Sequence, residues 1–65
     1  MFNRESIEGK RVVLTSGTKS GYIEGIAYFI SDDEMHIQYG EEAFDYSKVQ
    51  TKDIENGSYN LTILN

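Results

Sequence analysis

Apolar side chains recur at every second position in short runs along this chain, and each run is closed by glycine, aspartate, asparagine or serine. A period of two puts alternate side chains on one face of a strand, so the pattern predicts an all-β domain. In the first run, Lys10–Thr15, Val12 and Leu14 share a face opposite Arg11, Val13 and Thr15. The longest run, Gly21–Ser31, carries two phases: Ile23 is in step with Ala27 and Phe29, whereas Ile26 is in step with Tyr28 and Ile30. Gly25 stands where the phases meet, and a glycine within a strand marks a bulge or a sharp bend. Met35, Ile37 and Tyr39 then alternate with His36 and Gln38, and Phe44 and Tyr46 with Asp45 and Ser47. A last run sets Tyr59, Leu61 and Ile63 against Asn60 and Thr62.

The segments between the runs predict less regular structure. Asn3–Glu8 has the length of one helical turn. Asn56-Gly57 is a favoured central pair of a type I′ turn, which would fold Lys52–Glu55 back as a short strand onto Ser58–Leu61. Five strands joined by hairpins, one of them bent at Gly25, predict a small barrel, because closure removes exposed sheet edges. The expected core is Val12, Leu14, Ile23, Ala27, Phe29, Met35, Ile37, Phe44, Val49, Ile54, Leu61 and Ile63.

Length and composition narrow the picture. Residues 1–65 suffice for one domain, and a chain this short buries only about 60% of the surface that its unfolded form exposes. Small domains are commonly reinforced by disulfides, a metal or self-association. There is no cysteine and a single histidine, His36, so thiolate chemistry is excluded and a homo-oligomer is the device expected. Six basic residues against eleven acidic ones give a formal net charge of −5. Nucleic-acid affinity rests on lysine and arginine displacing counterions, so this balance opposes direct DNA binding and disfavours RNA. No apolar run approaches the roughly 20 residues of a membrane span, and Met1–Lys10 lacks the apolar core of a secretory signal, so a soluble, cytoplasmic protein is expected. The sequons Asn56-Gly57-Ser58 and Asn60-Leu61-Thr62 are then read as turn and strand residues.

Few residues suggest chemistry. The stretch Ser16-Gly17-Thr18-Lys19-Ser20-Gly21 places a lysine and hydroxyls between glycines, but a phosphate loop needs glycine directly before its lysine and a helix directly after. Thr18 precedes Lys19 and a strand pattern follows Gly21, so the stretch reads as a hairpin turn. His36 has no second histidine or cysteine with which to hold a metal and lies on the solvent side of its strand; paired with a carboxylate it would be the residue on which a small enzyme depended. Asp32, Asp33 and Glu34 lack the ligand alternation of a calcium loop, and Glu41 and Glu42 sit beside a turn glycine. No cofactor is expected. With Asp45 these carboxylates form an acidic surface suited to a basic protein. Five tyrosines exceed what so small a core can hold. Tyr22 and Tyr28 share a face of the second strand with Glu24, and tyrosine is enriched at interfaces, so that face is a candidate contact.

From Gly9 to Ile54 the chain resembles the Sm-like fold, including the bacterial Sm-type RNA chaperone. Gly9–Gly17 is similar to its first strand, Gly21–Ile26 to the Gly-x-Ile/Val stretch of its bent second strand, Asp32–Tyr39 to its turn and third strand, and Tyr46–Val49 to its late tyrosine stretch. SH3-like barrels, Tudor-type modules among them, share most of the pattern. The resemblance implies a five-stranded SH3-like or Sm-like barrel, ring assembly by strand pairing, and RNA contacts through Lys19, Tyr46 and Lys48. Where the bacterial type has a Lys-His pair, Tyr46 is followed here by Ser47-Lys48, and Gln50–Gly57 displaces the expected fifth strand. Small acidic barrels also occur among phage and mobile-element proteins, some of which imitate the charge of nucleic acid. The function expected is a non-enzymatic acidic module binding protein through Asp32, Asp33, Glu34, Glu41, Glu42, Asp45, Tyr22 and Tyr28, as an inhibitor or nucleic-acid mimic. The alternatives are an Sm-like RNA-binding oligomer and a small enzyme using His36.

Overall fold

The computed structural model describes residues 4–17 and 21–64. Lys19, and with it most of the glycine-flanked stretch, lies outside them. The chain runs through α1 (Arg4–Ile7), β1 (Arg11–Ser16), β2 (Tyr22–Phe29), β3 (Glu34–Gln38), β4 (Tyr46–Gln50), α2 (Thr51–Glu55) and β5 (Tyr59–Ile63). The strands form one antiparallel sheet in the order β4-β3-β2-β1-β5. The final connection is therefore not a hairpin: the chain leaves β4 through α2 and returns to the far side of β1. Among the described residues β4 and β5 remain the two edges, and the sheet is not closed into a barrel. No described helix is long and apolar enough to cross a membrane.

Alternation holds better in β2 than the sequence suggests. Gly25, Ala27 and Phe29 are buried and Ile23 half-buried, while Tyr22, Glu24 and Tyr28 face outward with the half-buried Ile26. What changes at Gly25 is the partner. β2 pairs with β1 over Tyr22–Ile26 and with β3 over Ile26–Phe29, so Ile26 is matched to both Arg11 and Gln38. The φ of Gly25 is not in the left-handed region. Its place is set by crowding, since a Cβ there would stand against the Gln38 carbonyl oxygen and 3.0 Å from Ile37 Cγ2.

The core comprises Ile7, Val12, Leu14, Ala27, Phe29, Met35, Ile37 and Val49, with Ile23, Ile54, Tyr59 and Leu61 packed against it. Two expected members are absent. Phe44 is 73% exposed because the chain is still turning at that point and β4 begins only at Tyr46, and Ile63 is exposed near the end of an edge strand. Ile7 takes part instead, carried inward by α1. That single turn is secured from outside: Arg4 bonds Asp32 at 2.9 Å and lies 5.2 Å from the Phe29 ring centroid, and the Phe29 amide donates to Glu8 Oε1.

Lys52–Glu55 is helical, not a strand. Thr51, the one buried polar residue described, donates from its amide to Asp33 O and from Oγ1 to Asp32 O, each at 3.0 Å. These bonds tie the start of α2 to the β2–β3 turn, while Ile54 reaches the core. Asn56 is right-handed (φ −87°) and Gly57 left-handed (φ +87°), so the pair ends the helix in place of forming a type I′ turn. The Gly57 amide donates to Ile54 O, and Asn56 Oδ1 accepts the Ser58 amide.

Candidate functional site

The expected acidic surface divides in two. Asp32 and Asp33 occupy the β2–β3 turn at one end of β3, and Glu41, Glu42 and Asp45 the β3–β4 turn at the other. The five residues of β3 separate these ends by roughly 17 Å at about 3.3 Å per residue.

The first end is partly paired. Asp32 pairs with Arg4, Lys52 lines the adjoining cleft with Asp33 and Glu34, and Glu34 Oε2 lies 2.9 Å from His36 Nε2. At the second end Glu41 and Glu42 are exposed and make no ion pair among the described residues. Asp45 is the scaffold of this turn. Its carbonyl accepts the amides of Tyr39 and Gly40, its amide donates to Glu42 O, and its carboxylate accepts the Glu42 amide at 3.3 Å. Gln38 Nε2 adds bonds to Gly40 O and Glu42 O. The turn is thus internally braced while presenting Glu41, Glu42 and the Phe44 ring outward.

Tyrosine positions follow from the same geometry. Tyr59 packs on the core and Tyr46 is half-buried, leaving Tyr22, Tyr28 and Tyr39 as the exposed three. Tyr22 and Tyr28 lie on the outer face of β2 as expected, but Tyr28 falls on the β3-paired half and Tyr22 on the half paired to β1 alone. Tyr22 and Tyr39 line a common cavity with Ile23, Glu24 and Ser47. Tyr39 and Phe44 are therefore the aromatic residues that the sequence leaves out of the site. The signal available for Phe44 was its place immediately after Glu41-Glu42-Ala43, too close to an acidic turn to reach an interior.

Of the residues of the RNA alternative, Tyr46 and Lys48 lie on the outer face of β4, and Lys19 lies outside the described residues. Tyr28, His36 and Lys48 form one cross-strand row, and Ile26, Gln38 and Tyr46 the next. The His36 and Tyr46 rings, diagonal neighbours, stack at 4.3 Å with 12° between their planes. His36 is thus held between a ring and the Glu34 carboxylate. No nucleophilic side chain is bonded to it, and no group of three metal-ligating side chains occurs among the described residues. Comparison with family models, with curated proteins and with solved structures gives no match to this chain.

Proposed function

We propose that this chain is a non-catalytic module that binds a basic protein surface through the β3–β4 turn and the adjoining start of β2. The observation that carries this reading is the exposure of Tyr39 and Phe44 in the same turn as the unpaired carboxylates Glu41 and Glu42. Aromatic rings supply contact area at interfaces, and acidic groups beside them steer a basic partner and select it over an acidic one. The bracing by Asp45 and Gln38 preorganises the turn, which lowers the cost of ordering it on binding. The β2–β3 turn contributes less, because Arg4 already pairs with Asp32 there.

Reversing both Glu41 and Glu42 to lysine tests the reading. Capture of an arginine-rich polypeptide at low ionic strength should fall at least tenfold, while the urea midpoint stays within error because both side chains are solvated. Unchanged capture would overturn the assignment.

A second reading, RNA binding through Lys19, Tyr46 and Lys48, is supported by the place of Tyr46 and Lys48 beside Tyr28 and His36 on the outer face. It predicts the opposite response, since the same charge reversal should strengthen any RNA affinity. The enzyme alternative predicts that His36→Ala abolishes function with the fold intact. Within the main reading the sheet belongs to an SH3-like or Sm-like barrel and self-associates through Tyr22, Tyr28 or the final strand, β5. The strand order and the short helix joining β4 to β5 support that placement. Sedimentation showing only monomer at high concentration would remove the self-association.

A further inference from the structure

We propose that the cleft where β2 and β3 part receives a single arginine side chain, an inference that rests on the basic-partner reading above. β3 pairs with β2 only from Ile26 onward, so Tyr22–Gly25 have a strand neighbour in β1 alone. Past Gln38 the chain swings through Tyr39 into the braced acidic turn. The gap left between the diverging strands is a cavity of about 380 Å³ lined by Tyr22, Ile23, Glu24, Tyr39 and Ser47.

The lining specifies the occupant. Tyr22 and Tyr39 are 67% and 54% exposed, so their rings are available to a visitor. Ring faces attract cations, and a guanidinium both stacks on a ring and directs N–H donors at a carboxylate. Glu24 supplies that carboxylate, and Ser47 a hydroxyl acceptor. No basic residue lines the cavity among the described residues. Arg11 approaches from outside, with Nη1 3.1 Å from Glu24 Oε2. It orients Glu24 but also competes for it, and Glu41 and Glu42, in the turn that follows Tyr39, add negative charge that attracts an incoming cation. An anionic group would be repelled by the Glu24 carboxylate, and an apolar one would cover it without adding to the Arg11 pair.

The experiment titrates the full chain, ¹⁵N-labelled, with the capped tripeptide Gly-Arg-Gly and with its citrulline counterpart, which keeps the shape and loses the charge. Amide shifts should concentrate at Tyr22–Glu24, Tyr39 and Ser47, with citrulline at least fivefold weaker. Tyr39→Leu should weaken arginine binding at least fivefold, Tyr39→Phe should change it less than twofold, and Arg11→Gln should strengthen it at least twofold. An equal response to citrulline, shifts centred elsewhere, or indifference to Tyr39→Leu would overturn the proposal. Octa-arginine separates this failure from failure of the broader reading. If its binding is lost on reversing Glu41 and Glu42 yet is untouched by Tyr39→Leu, the pocket is wrong and the basic-partner reading stands; if it does not bind the native chain, that reading fails first.

Discussion

Replacing Gly25 with alanine tests the closest approach in the sheet. The added methyl would stand 2.7 Å from the Gln38 carbonyl carbon and 3.0 Å from Ile37 Cγ2, against the 3.4–4 Å of ordinary contact. The obstacle is backbone and cannot rotate away, so β3 must withdraw at the residue where its pairing with β2 begins. Overpacking of this kind costs about 1–3 kcal/mol. Alanine returns about 0.4–1 kcal/mol by restricting the unfolded chain, so the middle of the two ranges leaves a net loss of about 1.3 kcal/mol. Against a total of about 3–10 kcal/mol for 65 residues, that is a substantial fraction. At roughly 4–8 °C per kcal/mol for so small a domain, the thermal midpoint followed by circular dichroism should fall by about 5–10 °C. Gly17→Ala is the matched control, because nothing lies within 4 Å of its added methyl and its φ is not left-handed. If the two variants melt together, β2 and β3 are not in contact at Gly25 and the account of the strand hand-over is wrong.

Ile7→Ala should cost about 2–4 kcal/mol in urea unfolding, whereas Phe44→Ser should stay within about 0.5 kcal/mol, since one side chain is buried and the other largely solvated. The reverse ranking would return Phe44 to the core. Thr51→Val keeps the shape but leaves Asp32 O without its Oγ1 donor, and a loss of about 1–2 kcal/mol should follow; a neutral result would mean that the bond does not anchor α2. Arg4→Gln removes an ion pair whose partners are both well exposed to water, and a stability change above about 1 kcal/mol would show that Arg4 acts through its packing on Phe29.

The alternation of side chains was enough to place β1, β2, β3 and β5, to assign Val12, Leu14, Ala27, Phe29, Met35 and Ile37 to the interior, and to put Tyr22 and Tyr28 outside. Those assignments depend only on the two-residue period of an extended chain. Where the period was ambiguous, contacts distant in sequence decided. Thr51-Lys52-Asp53-Ile54-Glu55 follows no strand or helix pattern strongly, and its helix exists because Thr51 bonds the turn at Asp32 and Asp33, which lies nearly twenty residues away. Ile7 is buried because Arg4 and Glu8 clamp α1 onto the end of β2, an arrangement with no local signature. The placing of β5 beside β1 followed from no turn signal, since α2 carries the chain from one edge to the other. The candidate site shows the same division. Exposed carboxylates were readable from composition, but their separation by the length of β3, the pairing of Asp32 with Arg4, and the cavity shared by Tyr22 and Tyr39 arise only once antiparallel pairing has set the register. Side-chain chemistry is local to the sequence; which charges are neutralised and which rings share a cavity is decided by strand neighbours that folding brings together.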